Sequence, residues 1–350
     1  MQPTTIFEVE REPSPQGMGL PAQTDTLSGP SAAARAPIRR PSQLGEFRNY
    51  LAAHGLGLLS GHLGSREAGA LGILMYHRVV APPRGICAPT WNVTPARFRS
   101  QLEGLLRRGF QPQSLRDVLA RHRAAEPMAP KSFVVTFDDG YENVYRHAFP
   151  VLRELGIPAT IFLTTAYLDS PEPFPFDDWS GKGLPGAPAE TWRPLTTAQC
   201  HEMQGSGLIE LGTHTHVHAD YRGRPDELRR DLLVSLDVLR SRFGVSAASY
   251  AGPYGQGCRK FDGHELSEAA RQAGVVCALN TNAELVRPGD EPYDWGRFTA
   301  LGNDSAASLA AKLDGWYSLV QDAWRRLRRR PIASRAGIED QAPATSPICS

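Results

Sequence analysis

The stretch SFVVTFDDG, residues 132–140, is the part of the sequence that decides the fold. A run of apolar and β-branched residues passes directly into two acidic residues and a glycine. It therefore predicts a buried strand over Ser132–Phe137 that ends in a polar turn. Helical spacing follows from Val144 to Leu155 and stops at Gly156, and a second apolar run covers Ala159 to Thr164. The order strand, helix, strand is typical of parallel strands joined by crossover helices.

The same alternation continues outward in both directions, from Gly72 to about residue 300. It predicts an α/β fold in which all strands are parallel. Further predicted strands cover Ile73–Tyr76, Ile209–Gly212, Ala247–Ala251 and Val275–Leu279. Predicted helices begin at Thr94-Pro95, which supply a cap and a first-turn proline, and cover Ser114–Arg123, Thr196–Met203, Asp226–Phe243, Leu266–Ala273 and Ser305–Arg330.

Polar residues come directly after the predicted strands: His77, Asp138-Asp139, the stretch from His214 to His218, and Pro253–Gly255. In parallel barrels, functional sites are built from loops at the C-terminal ends of the strands. Side chains that follow separate strands in this way can therefore converge, and we expect these residues to form one site.

The two ends of the chain differ in composition from the alternating middle. We expect four regions: a disordered N-terminal segment over 1–45, an uncertain lead-in over 46–71 with a short helix near 44–59, a domain over 72–325, and a basic, disordered tail over 326–350. The N-terminus has acidic residues and no apolar run behind a basic start, so it does not resemble a secretory signal peptide.

Charge and cysteine content limit the classes of partner. The formal net charge of +1 argues against a nucleic-acid binder, which usually carries a clear basic excess. The five cysteines are scattered, without a CxxC pair, which favours a reducing compartment. No apolar run reaches the length of a membrane span. We therefore expect a cytoplasmic protein. The run Arg325–Arg330 indicates either a solvated helix end or contact with anionic lipid at the inner face of the membrane.

Asp138 and Asp139 are open to two interpretations. Asp-Gly is a common turn pair, and alone these residues would indicate a solvated turn. His214 and His218, however, are four residues apart after another strand, and in a helical turn this spacing puts both rings on one face. Two imidazoles and one carboxylate form a common catalytic zinc site. Cobalt, nickel and manganese accept the same ligands. His216 would point elsewhere.

TFDDG at 136–140 and HTHVH at 214–218 resemble the first two motifs of the NodB-homology polysaccharide deacetylases, carbohydrate esterase family four. The flanking ILMYHRV at 73–79, the stretch 137–163 and PYG at 253–255 resemble this family too. The resemblance implies a distorted (β/α)7 barrel. It also implies that Asp138 is the catalytic base, that Asp139, His214 and His218 hold a divalent metal, and that the backbone N–H of Tyr254 helps to bind the oxyanion.

Two residues that the family motifs often contain are absent from their usual places. The third motif lacks its arginine, and Arg297 in EPYDWGRF is the predicted replacement. The late Leu-x-His motif that supplies the acid is also missing. His77 is the predicted acid, with a structural histidine as the alternative. Pro253, Gly255 and Trp295 are the predicted substrate contacts. The Pro- and Gly-rich insertion 169–194 is either a wall of the groove or a plain surface loop.

The resemblance implies removal of acetyl groups from N-acetylated amino sugars of a polysaccharide or oligosaccharide, with exopolysaccharide as the expected setting. Two alternatives remain: an O-acetyl esterase, and a carbohydrate-binding barrel without activity. The complete Asp, Asp, His, His set favours an enzyme, whereas the two missing residues keep the binding barrel open.

Overall fold

The structure is a computed structural model that describes residues 69–85, 88–177, 187–255 and 263–316. The predictions for the N-terminal 68 residues, for the basic run 325–330 and for the tail concern residues outside these ranges. Cys200 and Cys277, in the described ranges, are buried thiols without a disulfide. None of the described helices is both long enough and apolar enough to cross a lipid bilayer.

Ten short strands are found in the described ranges. They are β1 (Gly72–Tyr76), β2 (Arg78–Val79), β3 (Asn92–Val93), β4 (Gln111–Pro112), β5 (Ser132–Phe137), β6 (Ala159–Leu163), β7 (Ile209–Thr213), β8 (Tyr250–Ala251), β9 (Ala278–Leu279) and β10 (Phe298–Thr299).

Seven strands form one path of parallel neighbours in the order β10-β1-β5-β6-β7-β8-β9. β4 pairs with the start of β5, and β2 pairs with β3 in a separate small sheet. A parallel bridge between Leu279 and Trp295 ties β9 to the segment that precedes β10. The sheet thus curves into an incomplete barrel, and the predicted α/β barrel is confirmed.

Seven α-helices are described: α1 (Pro95–Arg107), α2 (Leu115–Arg123), α3 (Phe149–Leu155), α4 (Thr197–Gly205), α5 (Pro225–Phe243), α6 (Gly263–Ala273) and α7 (Ala306–Leu313). Their starts follow the sequence. Thr94 Oγ1 accepts a hydrogen bond from the Arg97 N–H and caps α1, and Ser114 Oγ caps α2 in the same way. A π-helical turn over Val144–Ala148 leads into α3.

The two faces of the sheet pack against different partners, because successive strand residues point to opposite sides. One apolar cluster contains Ile73, Val134 and Phe162 together with α2, and the larger cluster contains Leu74, Val135 and the remaining helices. A Cβ on Gly212 would lie 2.6 Å from the Phe162 ring, so β6 and β7 approach as closely as glycine allows.

Three predictions about the elements need correction. The predicted helix over Ser305–Arg330 is interrupted in its described part, because α7 ends at Leu313 and Gly315 adopts a φ of 79°. The predicted strands over Ala247–Ala251 and Val275–Leu279 are reduced to their last two residues. β10, only two residues long, was not predicted, since so short a run has no periodicity to detect.

Candidate metal centre and active site

The side chains that the sequence predicted to converge do so at one end of the barrel. His77 follows β1, Asp138 and Asp139 follow β5, His214 follows β7, and the turn Pro253–Gly255 follows β8. All these strands are parallel, so their C-terminal ends lie on the same side. The site is therefore assembled by the topology from segments far apart in sequence.

Asp139, His214 and His218 form the one cluster in the described ranges that could hold a metal ion. The Asp139 Oδ1 lies 3.4 Å from the His214 Nε2 and 3.3 Å from the His218 Nε2, and all three residues are buried. Oxygen and nitrogen ligands bound to zinc at their usual distances in a tetrahedral arrangement are about 3.4 Å apart. The spacing of the donor atoms therefore fits a divalent cation.

The protonation states of these groups suit a metal as well. Burial tends to raise the pKa of Asp139, but the hydrogen-bonding His214 and His218 rings hold that pKa well below its usual value. Burial lowers the pKa of His218, against the opposing effect of Asp139. An ionised carboxylate and a neutral imidazole are the forms that bind metals.

The local backbone differs from the predicted helical turn. Residues 214–218 form an open bend, in which Thr215 and His218 have positive φ values of 70° and 56°. The His214 and His218 rings still meet, with centroids 5.0 Å apart. Asp139 has a φ of 72°. Non-glycine residues in this left-handed region are strained, and such strain is typical of functional sites.

His216 points away from the cluster, as predicted. Its Nδ1 lies 2.9 Å from the Thr165 Oγ1, and its backbone N–H donates to the Asp231 Oδ1. His216 therefore belongs to the packing between the bend and α5 rather than to the metal ligands.

Arg297 contacts Asp138. This is the contact expected of the arginine that the third motif lacks and that Arg297 was predicted to replace. Its Nη1 and Nη2 donate to the two carboxylate oxygens of Asp138 at 2.6 and 2.8 Å, and its Nε donates to the Asn280 carbonyl. Burial tends to raise the pKa of Asp138, but Arg297 and His214 lower it below its ordinary value. Asp138 is thus an oriented, ionised carboxylate.

His77 lies beside this pair, with its Nε2 4.0 Å from the Asp138 Oδ2. Burial lowers the pKa of His77, although Asp139 and Asp138 partly oppose this. Its ring stacks on Trp91 with centroids 5.7 Å apart, and Trp91 is 44% exposed with a φ of 55°. The sequence did not predict a role for Trp91, because nothing in its local pattern distinguishes it.

The predicted substrate contacts and Tyr254 differ in their exposure to solvent. Tyr254 is 41% exposed, has a φ of 55° and approaches the His218 ring edge-on. Gly255 is partly exposed, whereas Pro253 is buried. Trp295 is corrected: it is 1% exposed and packs against His122 inside the barrel, so its side chain cannot reach a glycan.

The insertion reaches the site through Phe176, which the sequence did not single out, and through Asp177, which the sequence placed in a possible wall of the groove. Phe176 stacks on His218, and Asp177 is buried against Arg78 and Tyr141. The plain surface loop is therefore wrong for this part of the insertion. Phe176 lies in a Pro- and Phe-rich run without periodicity, so only the structure could identify it.

Comparisons with known proteins agree with this geometry. A family model described as polysaccharide deacetylase matches residues 125–278, which contain Asp138, Asp139, His214 and His218. The predicted resemblance to this family is thereby confirmed. The solved structure of IcaB from Ammonifex degensii is 27% identical, has a TM-score of 0.56, and covers 70% of this chain and 97% of its own.

The names of curated relatives are more specific than the description of the family model. A poly-beta-1,6-N-acetyl-D-glucosamine N-deacetylase of Escherichia coli (strain K12) is 26% identical over 198 residues, 47% of this chain. The protein of the same name in Staphylococcus epidermidis is 24% identical over 235 residues, 65% of this chain and 73% of its own length. The chain spans only 28% of the length of the Escherichia coli protein.

Proposed function

We propose that this protein is a metal-dependent hydrolase that removes acetyl groups from N-acetylated amino sugars of a polysaccharide or oligosaccharide. The observation that carries the proposal is the pairing of two adjacent carboxylates with separate tasks. Asp139 faces His214 and His218, whereas Asp138 faces Arg297. The names of the relatives make a β-1,6-linked N-acetylglucosamine polymer the first substrate to test.

Asp139, His214 and His218 would hold the cation, with Zn²⁺ as the first choice and Co²⁺, Ni²⁺ or Mn²⁺ as alternatives. When bound, such an ion polarises the acetyl carbonyl and makes water a better nucleophile. The pKa of Asp139 is lowered well below its usual value and that of His218 is lowered by burial, so both residues favour the protonation states that bind a metal.

Asp138 is the general base in this proposal. It is ionised because Arg297 and His214 lower its pKa despite burial. The two hydrogen bonds from Arg297 fix the carboxylate plane, so one orientation is available when Asp138 takes a proton from the attacking water. Oriented general bases typically contribute about 10²–10⁴-fold to the rate.

Tyr254 and His77 complete the set. The backbone N–H of Tyr254, in the turn after β8, is the assigned donor to the oxyanion, a contribution of about 3–4 kcal/mol for one such donor. His77 rests neutral, because burial lowers its pKa. It must therefore gain a proton during the reaction, and Asp138, 4.0 Å away, is the closest group that acquires one. His77 would then protonate the departing amine.

The test is an acetate-release assay on metal-loaded protein. Its substrates are N-acetylglucosamine oligomers of β-1,6 and β-1,4 linkage and an O-acetylated glycan. We expect acetate from an N-acetylated oligomer, about 10²–10⁴-fold less with Asp138→Asn, and none after chelation. Release from the ester alone would identify an O-acetyl esterase. Glycan binding without acetate from any substrate, unchanged by Asp138→Asn, would identify a binding barrel.

A further inference from the structure

His214 and His218, the two histidines of the proposed metal-ligand cluster, are oriented in different ways. The His214 Nδ1 lies 2.8 Å from the Ala251 carbonyl oxygen, so it must donate, and the Nε2 on the other side of the ring faces Asp139. A hydrogen bond of this kind is the usual means of orienting a metal-binding histidine. The His218 Nδ1 is buried and has no hydrogen-bond partner among the described residues.

Within the described part of the chain, no hydrogen bond orients the His218 ring through its Nδ1, but the phenyl ring of Phe176 stacks on this imidazole. Its centroid lies 3.6 Å from the centroid of the His218 ring, with the planes only 17° apart. Tyr254 contacts the same imidazole edge-on, at 4.7 Å and 69°. Turning the imidazole about its Cβ–Cγ bond would drive its edge into the phenyl ring. Packing therefore sets the direction of the His218 Nε2.

Phe176 is fixed in turn by its neighbour Asp177. The Asp177 Oδ2 accepts hydrogen bonds from the Arg78 Nη2 at 2.7 Å and from the Tyr141 hydroxyl at 3.1 Å. The Arg78 guanidinium also lies 4.2 Å from the centroid of the Tyr141 ring, and all three side chains are buried. Arg78 follows His77, and Tyr141 follows the Asp-Asp-Gly turn. The two residues that hold Asp177 therefore follow the ends of β1 and β5, the strands that also position His77 and the two aspartates of the site.

We propose that Phe176 is a positioning residue that presets the His218 imidazole for the divalent cation, with Arg78, Tyr141 and Asp177 holding Phe176 in place. The inference rests on the proposed function for the identity of the cluster, but its claim concerns metal affinity. Residues that orient metal ligands typically change metal affinity by about 10–100-fold when they are removed.

The test is competition for Zn²⁺ and Co²⁺ between a chromophoric chelator and the full-length, metal-free protein. We expect Phe176→Ala to weaken the affinity 10–100-fold and Phe176→Tyr, which keeps the ring, to retain it. Phe176→Leu keeps most of the volume but not the planar face, and should also weaken it. Trp91→Ala is the matched control, because it removes an aromatic ring stacked on His77, and it should leave the metal affinity unchanged.

The absorption spectrum of bound Co²⁺ gives a second readout, which we expect to change in Phe176→Ala and not in Trp91→Ala. Wild-type affinity in both Phe176→Ala and Phe176→Leu would overturn the inference, as would equal weakening in Phe176→Tyr. If Phe176→Ala does not fold, Phe176→Leu decides. A wild-type protein that binds metal but releases no acetate contradicts the proposed function alone, because these affinities are measured without substrate.

Discussion

Arg297 and Asp138 form a doubly hydrogen-bonded ion pair across 159 residues of sequence, with Arg297 fully buried. Removing one member of a buried pair leaves the other charge uncompensated, at a typical cost of about 3–5 kcal/mol. We expect Arg297→Gln to lower the free energy of unfolding by this order, measured by denaturant titration. The double variant Arg297→Gln with Asp138→Asn should recover part of the loss.

The same substitution should change the pH dependence of activity. Without the guanidinium, burial dominates and raises the pKa of Asp138. The acid limb of kcat/KM should then move to higher pH, because the base stays protonated over a wider range. Lys312→Gln, which breaks the buried Lys312–Asp304 pair outside the site, is the control. It should lower stability without moving the limb; an equal movement in both variants would contradict the assignment of Arg297.

Neighbouring histidines allow a matched test of the metal ligands. His214→Ala should lose the bound divalent ion, because it removes one of three donors from the cluster. His216→Ala should keep the metal, since its ring bonds to Thr165 instead. Elemental analysis of chelator-free protein measures the stoichiometry. One metal ion retained in His214→Ala would refute the ligand set.

His77 should matter more for amides than for esters. An amine leaves poorly without a proton, whereas an alcohol leaves more readily. We expect His77→Gln to reduce kcat at least 100-fold on an N-acetylated oligosaccharide and much less on an acetyl ester. Equal losses on both substrates would favour the structural histidine instead. Thermal unfolding of the variant separates that role from loss of fold.

Trp91 should contribute to glycan binding. Its exposed ring stacks on His77, so a sugar whose acetamido group reaches the site would lie against it. We expect Trp91→Ala to raise KM for the oligosaccharide about 10-fold, which corresponds to about 1.4 kcal/mol of lost binding free energy, with kcat nearly unchanged. Leu233→Ala, an equally exposed apolar residue on α5, should have no effect on either constant.

The buried carboxyl group of Asp314, which lies outside the site, should make the free energy of unfolding depend on pH. Burial raises its pKa to about 6, against partial opposition from Lys131. The folded state therefore binds more protons than the unfolded state between pH ~4 and pH ~6, and this contribution to stability is lost as the pH rises through that range. Asp314→Asn should raise the free energy of unfolding by about 1–3 kcal/mol at pH 7.5 and not at pH 4.

The control for Asp314 is Asp237→Asn, since the Asp237 side chain is 76% exposed and makes a surface ion pair. It should change stability little at either pH. Urea titrations at both pH values measure the four differences. A gain for Asp314→Asn that is the same at pH 4 and pH 7.5 would show that ionisation is not its cause.

The sequence predicted the long strands β1, β5, β6 and β7 and the positions of the polar residues well, because both are local signals. Ser132–Phe137 is apolar along its whole length and is observed with the predicted bounds. The Arg297 contact came from the family resemblance rather than from spacing. The bend at 214–218 was predicted as a helical turn, because left-handed residues such as Thr215 leave no mark in a hydrophobic pattern.

Other differences arise from tertiary packing. Trp295 lies two residues before Arg297, and its place inside the barrel depends on how the segment pairs with β9. Phe176 is held through its neighbour Asp177, which accepts hydrogen bonds from Arg78 and Tyr141. Arg78 and Tyr141 are both far from Phe176 in the sequence. No one-dimensional pattern encodes a contact of this kind.

The order of the strands along the chain also has a consequence for biosynthesis. The three proposed metal ligands have all been translated once His218 is made, whereas Arg297 follows only just before β10, the last described strand along the chain. At typical translation rates, this delay is on the order of 4–16 s. The nascent chain therefore contains every donor of the cluster before the arginine that orients Asp138 has been added, so the residues of the proposed metal site precede this part of the catalytic set in the order of synthesis.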